Sequence, residues 1–220
     1  MYIRFSRGFA FIVEGPTEKV FYTQLLKYLA QKYTVELNSG YDELMHEHYL
    51  WYSMHDEISI VKINVVGTIT QIPNSDRWFH SQCCAPYGED CLWNVFLCYD
   101  TDNYKPDITK FYEGDWKKLR ESLREANETY DLAASADIED VMLQDQEGIC
   151  RFLGCKNPGP LPGIKGKKKM TGLYKKCGKI YHEGDKARDM IKSLDMEKII
   201  KGNLVPLHFV EKNLFQNFKQ

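Results

Sequence analysis

A continuous apolar run, Phe9 to Val13 (FAFIV), stops at Glu14-Gly15-Pro16, and a helical pattern begins directly behind it. The run is rich in aromatic and β-branched residues, as a strand buried on both faces requires. Proline is favoured at the first position of a helix, where its missing N–H has no partner to lose, and Thr17 and Glu18 suit the first turn. Val20, Phe21, Leu25, Tyr28 and Leu29 then recur at roughly helical spacing. A buried strand that passes through a tight turn into an amphipathic helix is a unit of an α/β layer structure.

Two further runs repeat the strand signal. Ile58 to Val66 (ISIVKINVV) is closed by Gly67-Thr68, and Asn94 to Tyr99 (NVFLCY) ends in Asp100-Thr101-Asp102. The spacing predicts an amphipathic helix over Trp116 to Tyr130, with Trp116, Leu119, Leu123 and Ala126 on one stripe. A short strand over Asp131 to Ser135 and a loop turning into a helix from Ala136 follow. Asn38 to Glu57, rich in His and Tyr, shows no clear period. Asn157 to Gly178 reads as an extended loop, first Gly- and Pro-rich and then lysine-rich. Helical spacing resumes from Ala187 to Ile200, and the last stretch to Gln220 reads as another helix. The expected fold class is therefore α/β, with a central, mostly parallel sheet flanked by helices and a basic C-terminal extension. Residues 1–150 would form the catalytic domain, with residues 151–220 packed on it.

Composition supports one core. With 220 residues, 43% hydrophobic and 13% aromatic, the chain has the material for a packed interior, which excludes wholesale disorder. No apolar run approaches the roughly 20 residues that cross a bilayer. Met1 to Val13 lacks a small-residue cleavage site, so the expectation is a soluble, cytoplasmic protein without a membrane partner. Seven cysteines without a CxxC pair read as free, mostly buried thiols; His80, Cys83, Cys84 and Cys91 match no compact zinc spacing. His46, His48 and His55 read as surface or packing residues.

The net charge of −2 conceals an asymmetry. Between residues 151 and 192 stand 12 Lys+Arg against 3 Asp+Glu, which leaves 17 against 28 for the rest of the chain. A basic third beside an acidic body suits a surface that grips a polyanion and another that holds cations. Lys165 to Lys179 carries seven lysines (Lys165, Lys167, Lys168, Lys169, Lys175, Lys176 and Lys179), with Met170, Leu173 and Tyr174 between them. Lysines contact phosphates without reading sequence, and Tyr174 would stack on a base. The alternative for this tract is a solvated loop.

The acidic residues at the strand ends carry the sharper signal. Glu14 follows the first strand, and Asp100 and Asp102 follow the third; in a parallel sheet all three reach the carboxyl edge, where ligands bind. Carboxylates so close repel unless protonated or bridged, and an all-oxygen set favours Mg2+ or Mn2+.

Taken together, FIVEGPTEKVFY, VFLCYDTDN and SADIEDVML resemble a Toprim domain, of the type found in nucleases of the overcoming-lysogenisation-defect family and small relatives near phage-defence systems. The resemblance runs roughly from Phe9 to Leu143. It implies a Rossmann-like fold with Glu14, Asp100 and Asp102 as metal-binding or catalytic residues, and Glu18 as the second acid one turn on. A later acidic element falls among Ser135, Asp137 and Glu139. A further lysine is expected, for which Lys165, Lys167, Lys168 and Lys169 compete, Lys168 being taken as catalytic. One ion would sit on Glu14, Asp100 and Asp102, and a second between Glu18, Asp100 and Asp137/Glu139. The implied activity is Mg2+- or Mn2+-dependent hydrolysis of phosphodiester bonds in DNA or structured RNA. The implied setting is anti-phage defence, beside a separate ATPase or sensor protein, since no GxxxxGK[ST] is present; self-association is a further expectation. Two alternatives stand beside it. One is a non-catalytic, nucleic-acid-binding or regulatory subunit on the same scaffold; the other is a Rossmann-like enzyme of small-molecule phosphoryl transfer.

Overall fold

The computed structural model describes residues 4–101, 113–135 and 137–216. A six-stranded sheet runs in the order β2-β3-β4-β1-β5-β6. Its strands are β1 (Arg7–Val13), β2 (Asn38–Asp42), β3 (Glu47–Met54), β4 (Glu57–Val65), β5 (Leu92–Asp100) and β6 (Glu128–Ala134). β4, β1, β5 and β6 are parallel, and β2 and β3 extend the β4 side as antiparallel ribbons. The result is an α/β fold with a mostly parallel sheet between helices. His46, and His55 with Asp56, adopt positive φ at the ribbon turns, so two of the three early histidines serve backbone geometry.

Alternate residues of each central strand face opposite layers, which is why the runs are apolar throughout. Phe9, Phe11 and Val13 with Phe96 and Cys98 face one core, where the rings of Phe11 and Phe96 stack at 4.7 Å. Ala10, Ile12, Val95, Leu97 and Tyr99 face the other, against Phe79, Trp93 and Trp116. The first core is covered by α1 (Pro16–Lys32) and by the later helices α5 (Ile138–Met142), α6 (Gln146–Leu153), α7 (Gly166–Lys176), α8 (Arg188–Lys192), α9 (Met196–Lys201) and α10 (His208–Glu211). The second is covered by α2 (Ile72–Trp78), a π-helical turn to Cys84, the short α3 (Ala85–Tyr87) and α4 (Glu113–Ser122). No helix among the described residues is long and apolar enough to cross a membrane.

Three sequence expectations are corrected. The helix expected over Trp116 to Tyr130 ends at Ser122, and Glu128–Ala134 is a strand paired in parallel with β5. Trp116, Leu119 and Leu123 do pack inward. Beyond them, burial of Leu132 and Ala134 against β5 outweighs local helix preference. The lysine-rich tract is a helix from Gly166, not a loop, held by buried Met170, Leu173 and Tyr174. The helix expected over Ala187 to Ile200 is broken at Ser193 to Asp195, where Asp195 caps α9 by accepting the Lys198 N–H at 3.0 Å.

The last described turn closes onto the first strands. Arg7 donates to the Asn213 carbonyl at 2.6 Å, and the Tyr52 hydroxyl to that of Leu214 at 2.6 Å. Phe215 stacks on Tyr52 and on Tyr33.

Candidate functional site

Because β1, β5 and β6 run parallel, their carboxyl ends open on one edge, and acidic residues follow each. Val13 lies beside Cys98 and Asp100 beside Ala134, so Glu14, Asp100 and Ser135 are brought together from distant points in the chain. Glu14 accepts the Asp100 backbone N–H at 3.2 Å. Thr101 donates from its hydroxyl to the Ala134 carbonyl at 2.7 Å and seals the β5–β6 end.

Glu18 lies one helical turn after Glu14, buried at the start of α1. The intervening Gly15 is tight: a Cβ there would stand 2.9 Å from Glu18 Oε2. Asp137 caps α5, accepting the Asp140 N–H at 2.9 Å, and is buried, as is Glu139 in the same turn. Glu139 Oε1 accepts from the Tyr181 hydroxyl at 2.9 Å.

The proton affinities report how crowded these acids are. Burial, then the Glu14 and Glu183 charges, push Glu18 up to about 7, against an ordinary 4.5. Glu139 is also pushed up to about 7, first by burial and then by Asp137, although the Tyr181 hydroxyl pulls it down. Asp100 is raised well above the usual carboxylate range by burial and by Glu18, Glu14, Asp137 and Glu139. Burial and the Glu139 charge in turn hold the Tyr181 hydroxyl protonated. Desolvation and like charge act in the same direction on each carboxyl group.

Of the acids expected from sequence, the structure therefore gathers Glu14, Glu18, Asp100, Asp137 and Glu139. Asp102 lies outside the described residues. Their donors are all carboxylate oxygens, the chemistry that a hard divalent cation requires. Yet among the described residues no three His, Cys, Asp or Glu side chains are placed to hold a metal ion. The conformation shown is an acidic edge and not a ready-made ligand set.

The lysines divide by use. Lys167 pairs with Glu183, and its proton is held more tightly by that bond and by Glu139 and Asp137. Lys169 bonds Asp140 at 2.7 Å. The α7 start is fastened to α5, with the Gly166 N–H on Asp140 Oδ2 at 3.0 Å and the Lys167 N–H on Asp137 at 3.4 Å. A Cβ on Gly166 would overlap Asp137 Oδ1 and the Asp140 nitrogen, so only glycine allows this approach. Lys168, Lys175 and Lys176 are exposed on α7, Lys165 is half-buried ahead of it, and Lys179 donates to the Leu153 carbonyl at 3.1 Å. Lys167 is the lysine whose proton is held by Glu183, Glu139 and Asp137, whereas Lys168 is exposed on the same helix. Tyr174 is 7% exposed with its ring edge-on to Tyr181, so it is turned into the core and offers no face to a base.

Sequence reading missed Glu183 and Tyr181. One signal was available: Glu183 is the first acidic residue in the basic tract that starts at Arg151, and like Glu14 it is followed by glycine. The Gly184 N–H donates to Thr17 Oγ1 at 2.9 Å, which fixes this segment against the start of α1.

No family model matches the chain, and no curated protein matches it. Among solved structures, the Campylobacter jejuni 5'-methylthioadenosine/S-adenosyl homocysteine nucleosidase is similar at a TM-score of 0.30 and 11% identity, over 94% of this chain and 99% of that one. The futalosine hydrolase of Helicobacter pylori strain 26695 gives a TM-score of 0.26 and 10% identity, over 91% of this chain and 100% of that one. At these scores the likenesses carry no argument about activity. The expected Toprim assignment is corrected: neither a family model nor a curated protein supports it, and the solved structures named here are a nucleosidase and a futalosine hydrolase. The expected nuclease activity, the alternative of a subunit on the same scaffold, and the anti-phage role fall with it.

Proposed function

We propose that the acidic edge is the catalytic centre of a hydrolase and that it takes up a divalent cation, Mg2+ or Mn2+. The observation that supports this reading is the convergence of Glu14, Glu18, Asp100, Asp137 and Glu139 on one sheet edge, with Glu183 brought in by a later loop. Gathering like charges away from water works against folding, and such arrangements concentrate at working sites. Glu14, Asp100 and Asp137, not placed as a ligand set in the conformation described, would have to draw together to hold the ion, which when bound would supply positive charge to polarise a substrate and acidify water.

The chain's own groups account for the proton steps. Glu18 and Glu139, poised near neutrality, hold or release a proton at their carboxyl oxygens as general acid and base. The Tyr181 hydroxyl orients Glu139 by donating to Oε1. Lys167, between Glu183 and the acidic turn of α5, keeps a fixed positive charge at the rim. A proton-only mechanism is the second reading, favoured by the two carboxyls near 7 and the lack of a ready-made ligand set among the described residues.

Calorimetric titration with Mn2+, together with turnover of an aryl phosphate ester in the presence and absence of EDTA, tests both readings. Saturable Mn2+ binding that is lost in Asp100→Asn, with turnover that requires the ion, is expected. Turnover that survives EDTA with a bell-shaped pH profile would establish the proton-only reading instead. Neither ion binding nor turnover would remove the site from consideration.

A further inference from the structure

A groove of about 440 Å3 lies between α1 and the β2–β4 half of the sheet. Such a volume falls within the range of small-molecule sites. Val20, Leu50, Val61 and Ile63 give it an apolar floor, and Lys19, Lys27, His48 and Arg188 stand around it. Lys19, Thr23 and Lys27 follow one another at four-residue spacing, so they form a single stripe along the helix. Asp185 is the acid that lines the groove, and Arg188 already engages it.

Lys19 and Lys27 line this groove without an anionic partner among the described residues. Lys167 and Lys169 on α7 are paired with Glu183 and Asp140. Lys19 and Lys27 are exposed and form no ion pair among the described residues. The His48 ring is braced by Tyr41, their centroids 4.7 Å apart, and offers a flat surface at the rim. Unpaired cations above an apolar floor are complementary to an anion that carries an apolar or ring-shaped body. The groove also adjoins the acidic edge along the chain: Pro16 follows Glu14-Gly15, and Asp185 follows Glu183-Gly184.

We propose that this groove binds a small organic phosphate of the nucleoside monophosphate class, its phosphate between Lys19 and Lys27 and its ring body on the Leu50–Val61–Ile63 floor. The proposal deepens the reading of the acidic edge and rests on that reading for the ligand's role as substrate; binding alone does not depend on it.

The test is calorimetric titration of the full chain with adenosine monophosphate in EDTA, repeated with inorganic phosphate and with a short oligoadenylate. Saturable one-to-one binding of the nucleotide is expected, weaker by about tenfold or more in the K19A/K27A double variant. The variant should keep the wild-type circular dichroism and melting temperature, since both side chains are exposed. No saturable binding, equal binding to the variant, inorganic phosphate binding as tightly as the nucleotide, or oligoadenylate displacing it with higher affinity would each overturn the proposal. The two readings fail separately. Aryl phosphate turnover without nucleotide binding would overturn the groove alone, and nucleotide binding without any turnover would overturn the acidic edge as a catalytic centre.

Discussion

Two places in this molecule withdraw charge from water, and they are built on opposite plans. Lys62 on β4 is fully buried, but its ammonium meets Glu47 at 3.1 Å, the Gln82 carbonyl at 2.8 Å and the face of Tyr87 at 5.3 Å. Glu47 is also held by the Trp78 indole N–H at 2.8 Å. At the carboxyl edge, Glu18, Asp100 and Glu139 are surrounded mainly by charges of their own sign. The first arrangement answers its charge from within and ties β3, β4 and the π-helical turn together. The second answers its charge less fully among the described residues, and its carboxyls hold their protons more tightly as a result. Opposite-charge burial is a structural device here, and like-charge burial is the feature on which the proposed site rests.

The largest expected effect separates the two sites most directly. Asp100→Asn should reduce turnover by about a thousandfold while leaving the melting temperature equal or higher, because one repelling charge is removed. Activity retained in that variant, or a large loss of stability, would abolish the distinction. Lys62→Met should do the reverse. Chemical denaturation should show a loss of about 3 kcal/mol from an orphaned Glu47, with turnover per folded molecule near that of the wild type.

Gly166→Ala comes next, at roughly 1–3 kcal/mol by denaturation, because the added methyl forces α7 away from the Asp137 and Asp140 carboxylates. Displaced with it, Lys167 should leave Glu183, and turnover should fall alongside stability. The last effect is on pH dependence. Glu18 and Glu139 bind protons more tightly in the fold, at about 7, than their ordinary 4.5. Between these values the folded protein keeps protons that the unfolded chain has released. Stability should therefore decline as pH rises from 4.5 to 7 and stay at its lower level above that. Glu18→Gln should flatten the decline, gaining on the wild type above pH 7; a parallel curve for the variant would show that Glu18 is not raised.

Much of the fold was legible because the central strands alternate between two cores and so carry unbroken apolar runs. Phe9–Val13 and Asn94–Tyr99 announced β1 and β5, and their trailing acids announced the edge. β6 was not legible. Glu128–Tyr130 continues a helical stripe, and only its pairing with β5, a contact made across 30-odd residues of sequence, decides its conformation. The lysine tract misled for a similar reason: Met170, Leu173 and Tyr174 looked like inserts between cations but are the buried stripe of a helix. Local patterns resolve residues that bury themselves against neighbouring turns. Lys167 facing Glu183, and Tyr181 reaching Glu139, depend on how α7 and the loop after it return to the sheet, which spacing alone does not encode.

The closure of Asn213, Leu214 and Phe215 onto Arg7, Tyr52 and Tyr33 has a consequence for biosynthesis. β1 has part of its covering in a segment translated some two hundred residues later. Until that segment emerges, the aromatic face of the nascent sheet stays open to solvent and to chaperones, and native shape is reached only once synthesis has passed it.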